Sequence, residues 1–255
     1  MDLGLADRRF LVGGGSHGLG AAVARALAAE GARLAVAARD PQALATAVEG
    51  YGGVPISVDM STHDGPAAAV REAVAGLGGL DGLLVNTGGP PPGTFAALDE
   101  AAWERAIAGT LLSSIRLIRQ ALPHLRKGRN PAIAVILSSS VREPIPGLVT
   151  SNVLRPGLVG LIKSLVGEIA PIRINGLAPG RFDTERVRSL DATRAKEIGA
   201  TIEDVQEQTR ARIPLGRYGD PDEFGRVVAF LLSPAASYLN GVILGVDGGM
   251  IRSLP

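Results

Sequence analysis

The chain has 255 residues, with 26 Lys and Arg against 25 Asp and Glu for a formal charge of +1, and no cysteine. Charges of both signs are scattered without a basic block, which argues against a nucleic-acid or membrane partner and leaves room for a small anionic ligand. Disulfides and thiol chemistry are excluded, and no signal peptide or run of about 18 uncharged apolar residues is present, so a cytoplasmic protein with one domain over residues 1–255 is expected.

The first predicted strand, Phe10–Val12, leads into Gly13-Gly14-Gly15-Ser16-His17-Gly18-Leu19-Gly20 and then the periodic segment Ala21 to Glu30. A buried strand that turns through glycines into a helix sets backbone N–H groups and the positive helix end against a pyrophosphate. Gly14, Ser16, His17, Gly18, Leu19 and Gly20 are the expected contacts of a dinucleotide. The second strand, Leu34–Ala38, ends on Ala38-Arg39-Asp40. An acid at that strand end suits a free ribose 2′-OH, whereas a cation favours a 2′-phosphate. Here Ala38 removes the acid and Arg39 supplies the charge, with His17 as a second donor, so NADP(H) is expected over NAD(H).

After the third strand, Ile56–Val58, Asp59 and Met60 are placed to contact adenine. The fourth, Leu83–Val85, leads into Asn86-Thr87-Gly88-Gly89 and three stiffening prolines, Pro90 to Pro92, which are expected to wall a substrate pocket. Ile133–Leu137, Ile172–Leu177 and Val242–Val246 complete the apolar runs. Strands of this kind are buried on both faces, as in a parallel sheet. Helical spacing appears at Leu154, Leu158, Leu161, Ile162 and Leu165, and at Phe224, Val227, Val228 and Leu231 behind Asp220-Pro221. The alternation predicts an α/β, doubly wound parallel sheet of about seven strands with helices on both faces, its ligands at the carboxyl ends of the strands. Val159 and Val166 lie off the main stripe of the Leu154–Val166 helix, which points to burial against a second subunit and a homodimer or homotetramer.

From about Ala6 to Met250 the chain resembles the short-chain dehydrogenase/reductases, a Rossmann-type family that includes the β-ketoacyl carrier-protein reductases. The resemblance rests on Gly14-x-x-x-Gly18-x-Gly20, on Asn86-Thr87-Gly88-Gly89, on Asn175 through Pro179-Gly180 with Thr184, and on the tail from Ile213 to Gly249. It implies a nicotinamide cofactor, contacts from Pro179, Gly180 and Thr184, and hydride exchange with a carbonyl or alcohol.

The family's chemistry uses an asparagine, a serine and a Tyr-x-x-x-Lys pair. Here the asparagine position falls on Thr110, the serine on Ser138 (with Ser139 or Ser140 as alternatives), the tyrosine on Ser151 and the lysine on Arg155. A tyrosine, with an ordinary pKa of about 10, is brought toward neutrality by a nearby cation; a serine hydroxyl is a far weaker acid and shorter. Ser151 can therefore orient a substrate oxygen but is a poor proton donor. Arg155 keeps the charge, can grip ribose hydroxyls and cannot shuttle a proton. Pro156 predicts that the helix either starts late, near Asn152 to Leu154, or kinks. Tyr51, Tyr218 and Tyr238 offer no obvious substitute for the missing phenol. Glu143 is a candidate acid or base, and Arg181 a candidate contact for an acidic substrate group. No residue spacing suits a metal.

Two functions follow: an NADP(H)-dependent oxidoreductase with a degenerate tetrad of Thr110, Ser138, Ser151 and Arg155, or a non-catalytic NADP-binding sensor or scaffold. A vacant nucleotide pocket, as in the related halohydrin dehalogenases, is disfavoured by Gly18, Gly20, Asp59 and Thr184.

Overall fold

The computed structural model describes residues 2–253. Seven strands, β1 (Arg9–Gly13), β2 (Arg33–Ala38), β3 (Val54–Ser57), β4 (Gly82–Val85), β5 (Ala132–Ile136), β6 (Arg173–Pro179) and β7 (Ile243–Val246), form one sheet in the order β3-β2-β1-β4-β5-β6-β7. Every neighbouring pair is parallel. The expected strands are all present, with β6 continuing past Leu177 to Pro179.

Among the described residues nine α-helices connect and flank the strands: α1 (Gly18–Ala29), α2 (Pro41–Glu49), α3 (Gly65–Leu77), α4 (Glu100–Ala106), α5 (Ser113–Leu125), α6 (Val149–Glu168), α7 (Glu185–Ile198), α8 (Ile202–Arg212) and α9 (Pro221–Leu232). Successive strand residues point to opposite faces, so a strand apolar throughout must be covered on both sides. Phe10, Val12, Leu34, Val36 and Leu84 pack with Val23 and Leu27 of α1, Leu44 of α2 and Phe224 of α9. Leu11, Ala35, Leu83, Ile133 and Val135 pack on the other face with Val70 of α3, Leu117 of α5 and Leu158 of α6. Chain order runs outward in both directions from β1, toward β2 on one side and β4 on the other. The glycine turn at the end of β1 therefore opens at the sheet's switch point, where a crevice forms.

Two helical segments bear on the site. α6 begins at Val149, so Pro156 sits in its interior instead of in its first turn. Its missing N–H removes one hydrogen bond, and the packing of Leu154, Leu158 and Ile162 outweighs that loss. Val159 and Val166 are half-buried, packing in part on the sheet core, and Val153 is the exposed large apolar side chain of α6. Between α4 and α5 the segment Ile107–Leu112, which contains Thr110, winds as a π-helix. The Ser113 and Ser114 hydroxyls donate to the carbonyls of Gly109 and Thr110 at 2.7 and 2.6 Å, satisfying backbone acceptors in that widened turn.

At the amino ends of the strands, the opposite pole from the crevice, Asp81 is fully buried and gathers a basic cluster. Its carboxylate accepts hydrogen bonds from the Arg9 guanidinium at 2.9 Å twice, from the Arg9 N–H at 3.0 Å and from the Arg129 N–H at 2.7 Å. Arg8, also buried, donates to the carbonyls of Arg129 and Asn130 and lies 5.5 Å from the centre of the Phe10 ring.

Candidate active site at the carboxyl ends of the strands

The glycine turn is held from both sides. The N–H of Gly14 donates to the Ala37 carbonyl of β2 at 2.8 Å, and the Asn86 side chain, just past β4, donates to the Gly14 carbonyl at 3.0 Å. Gly14 has φ +59°, and a Cβ there would lie 2.4 Å from the Asn86 carbonyl oxygen; one on Gly20 would lie 2.1 Å from that of Gly14. Glycine is required at both positions. The N-cap of α1 is His17, which makes no side-chain cap, and the first turn of α1 carries no acid. These are the features that a phosphate needs at a helix start. Ser16 and His17 hydrogen-bond to each other at 3.0 Å, Leu19 is half-buried, and Gly18 faces Thr184, whose Cγ2 would lie 3.6 Å from an added Cβ.

Arg39 is exposed at the end of β2 and has no ion-pair partner among the described residues. Its neighbour Asp40 is occupied as the N-cap of α2, accepting from the N–H groups of Gln42 and Ala43. Asp59 accepts from the N–H and hydroxyl of Ser61 at 2.9 and 2.7 Å. The Ser61 N–H holds its carboxyl below the ordinary range, the Ser61 hydroxyl and the Arg39 charge adding to this against partial burial. Met60, expected to face adenine, instead buries its side chain in the core beside α3.

On the other side of the switch point, Thr87 is buried and its Oγ1 has no hydrogen-bond partner, while a Cβ on Gly88 would meet open space. Arg155 of α6 is buried beneath this loop, and its guanidinium donates to the Ile136 carbonyl at the end of β5 and to the Thr87 carbonyl at 3.4 Å. Burial, with the nearby Arg186 charge second, pulls Arg155 down to about 10. The proline loop is fastened to the start of α6: the Gly93 N–H donates to the Gly147 carbonyl at 2.6 Å, and the Thr150 hydroxyl to the Pro91 carbonyl at 2.9 Å. Asn152 clasps the preceding loop through both backbone groups of Ile145.

Of the three serines offered for one position, Ser138 and Ser140 both lie at the end of β5 in different settings. Ser138 is half-buried just past β5, where its hydroxyl accepts from the Ser140 N–H at 3.1 Å. Ser140, not Ser138, meets Ser151: their hydroxyls are 3.1 Å apart, both buried. Thr110 is buried in the π-helical segment. Pro179 ends β6, the Gly180 N–H donates to the Val246 carbonyl, and Thr184 caps α7 by accepting from the Val187 N–H. Arg181 does not await a substrate acid. It pairs at 3.1 Å with buried Asp191, which also accepts from the Tyr218 hydroxyl at 2.9 Å. Glu143 is exposed in its loop. Among the described residues no group of three or more His, Asp or Glu is placed to hold a metal.

This crevice, at the switch point of a parallel sheet with an uncapped glycine turn beneath it, is that of a dinucleotide-binding α/β protein. The family described as Enoyl-(Acyl carrier protein) reductase matches residues 14–251. The chain is 33% identical over 251 residues to cis-4-hydroxycyclohexanecarboxylate dehydrogenase of Sinomonas cyclohexanicum, covering 96% of each protein. It superposes on L-sorbose reductase of Gluconobacter frateurii, solved with NADPH and L-sorbose, with TM-score 0.93 at 27% identity and full coverage of both chains. A short-chain oxidoreductase of Pseudomonas aeruginosa PAO1, described as containing an atypical catalytic center, matches with TM-score 0.88 at 29% identity, covering 98% of this chain and 99% of that one. The protein belongs to the short-chain dehydrogenase/reductase family, and its relatives are dehydrogenases and reductases of small molecules.

Proposed function

We propose that the protein is an NADP(H)-dependent oxidoreductase acting on a small-molecule carbonyl or alcohol. The observation that carries this reading is the uncapped, acid-free start of α1 at the switch point, with the unpaired Arg39 at the end of the adjacent strand. Gly14, Ser16, His17, Gly18, Leu19 and Gly20 would receive the pyrophosphate, and Arg39 with His17 the 2′-phosphate. Asp59, the Met60 backbone, Asn86, Thr87 and Gly88 would border the adenosine and the nearer ribose. Pro179, Gly180 and Thr184 would take the nicotinamide. The orphaned Thr87 hydroxyl and the open space at Gly88 fit a polar guest lying along this loop.

When bound, the nicotinamide supplies or accepts the hydride. Ser138 and Ser151 would polarise the substrate oxygen, Ser151 held in its rotamer by Ser140. Arg155 would place its fixed positive charge beside the ribose and the developing oxyanion. A serine hydroxyl is too weak an acid to replace a phenol, so the proton would come from solvent or from a side chain outside the tetrad.

Parallel titration with NADPH and NADH tests the phosphate assignment. Arg39→Ala should weaken NADPH about 10- to 100-fold, the range for a charge-assisted contact, and leave NADH unchanged. Equal affinities for both nucleotides, insensitive to the substitution, would remove the NADP preference.

A second reading, a non-catalytic NADP-binding sensor or scaffold, is favoured by one observation: the Ser151 hydroxyl is already engaged by Ser140 inside the protein. A parent protein inert toward a broad carbonyl panel with NADPH, in which Ser151→Tyr with Arg155→Lys creates turnover, would establish it; turnover by the parent refutes it.

Homo-oligomerisation is part of the proposal. Exposed Val153 on α6 and Ile107 and Leu112 on the adjoining π-helical segment form apolar ground for a second copy. No described helix is long and apolar enough to cross a membrane, and a cytoplasmic site of action is proposed.

A further inference from the structure

The Thr87–Pro90 loop lies between two arginines. Arg155 donates to the Thr87 carbonyl from below. From α7, Arg186 crosses to the same loop: its guanidinium donates to the Pro90 carbonyl at 2.8 Å and lies flat on Gly89, where an added Cβ would sit 3.2 to 3.3 Å from Nε, Cζ and Nη2. Among the described residues neither guanidinium has an acidic partner. By contrast, Arg181 is paired with Asp191, Arg188 with Asp183 and Arg217 with Glu223. Partial burial lowers the Arg186 pKa, and Arg186 in turn lowers that of Arg155.

Arg155 is withdrawn from water with only carbonyl dipoles for company, whereas such a charge is ordinarily paired, and Arg186 stands exposed at the rim beside it with N–H groups to spare. The pyrophosphate does not account for this imbalance, since its receptor is the glycine turn on the β1 side of the switch point. The arginines instead lie on the β4–β5 side, against the proline loop.

Resting on the oxidoreductase reading above, we propose that the substrate carries a carboxylate and that Arg186 is the residue that selects it. The planar fork of Arg186 now spends one N–H on Pro90 and keeps the others for a bidentate partner. Arg155 is locked to two backbone carbonyls and contributes field, not contact. A side chain at Gly89 would press on the guanidinium, which would have to give by a few tenths of an ångström.

The test has two stages on the full chain. NADPH affinity is measured first, by nucleotide fluorescence without substrate, for the parent, Arg186→Met and Arg186→Lys. Calorimetric titration of NADPH-saturated protein then follows with carboxylates running from acetate to benzoate, each compared with its amide. The expected result is that carboxylates bind the parent about 10- to 100-fold more tightly than their amides. Arg186→Met should abolish that difference, Arg186→Lys should keep part of it, and neither should alter NADPH affinity or the melting temperature. Carboxylates and amides binding alike, or both failing to bind, would overturn the proposal. A loss of NADPH affinity in Arg186→Met would overturn it too, by assigning the cation to the nucleotide's phosphates. Failure of the oxidoreductase reading shows separately, as a parent protein that binds no nucleotide in the first stage.

Discussion

Replacing Arg155 with methionine is expected to cut NADPH-dependent turnover by about 10- to 100-fold, through loss of a fixed positive charge beside the ribose and the developing oxyanion, while leaving the melting temperature unchanged or raised. Two opposing terms set the stability outcome. Methionine forfeits the hydrogen bonds to the Ile136 and Thr87 carbonyls, each worth about 1.5 to 3 kcal/mol when the donor is charged. It also relieves the protein of a buried cation with no counter-charge, whose desolvation costs several kcal/mol. Burial, with the Arg186 charge second, pulls the guanidinium down to about 10, in the direction that such a desolvation cost requires. A side chain of similar length and no charge fills the same slot. Differential scanning fluorimetry beside a turnover assay reads both quantities. A melting temperature lowered by more than about 8 °C with turnover intact would make Arg155 a tie between β5 and the Thr87 loop and nothing more, since about 2 to 4 °C corresponds to 1 kcal/mol at this chain length.

The fold was legible because the strands are buried on both faces. Runs such as Leu83–Val85 and Ile133–Leu137 have no polar side to hide, and Asp220-Pro221 announces α9 with a cap and a proline. The glycine turn was equally legible, since its shape is dictated by residues adjacent in the chain. What escaped depends on contacts between distant segments. Three serines in succession look alike, and only the approach of α6 to the end of β5 selects Ser140 as the partner of Ser151. Arg181 and Arg186 both follow the Pro-Gly turn; the first is neutralised by Asp191 a helical stretch away, the second reaches a carbonyl almost a hundred residues earlier. Met60 shows the limit of reading position from strand ends, because its backbone lies where expected while its side chain turns into the core. Of the two outcomes that Pro156 left open, the structure takes the one with the proline inside the helix, because the burial of α6 against the sheet outweighs one lost backbone bond.

The largest effect on stability is expected far from the crevice, in Asp81→Ala. Asp81 is the acid that binds Arg9, and it lies among Arg8, Arg9 and Arg129 at the amino ends of β1 and β4. Removing one member of a buried, hydrogen-bonded pair costs about 3 to 5 kcal/mol, because the partner's charge stays behind. Here the Arg129 N–H also loses its acceptor. The melting temperature should fall by on the order of 10 °C. The carboxyl also sets an acid limb. Burial opposes its ionisation, but the hydrogen bonds from the Arg9 guanidinium and from the Arg129 and Arg9 N–H groups, together with the Arg9 charge, outweigh this and hold it at about 2. In the unfolded chain an aspartate titrates near 3.9. The folded value is the lower one, so this contribution is complete above about pH 4 and is lost as pH falls from about 4 to about 2, amounting to roughly 2 to 3 kcal/mol. Urea unfolding at a series of pH values should show that limb in the parent and a shallower one in Asp81→Asn, which keeps the shape and cannot ionise. An identical acid dependence in the two proteins would mean that the basic cluster draws its stability from the carbonyls around Arg8 and not from Asp81.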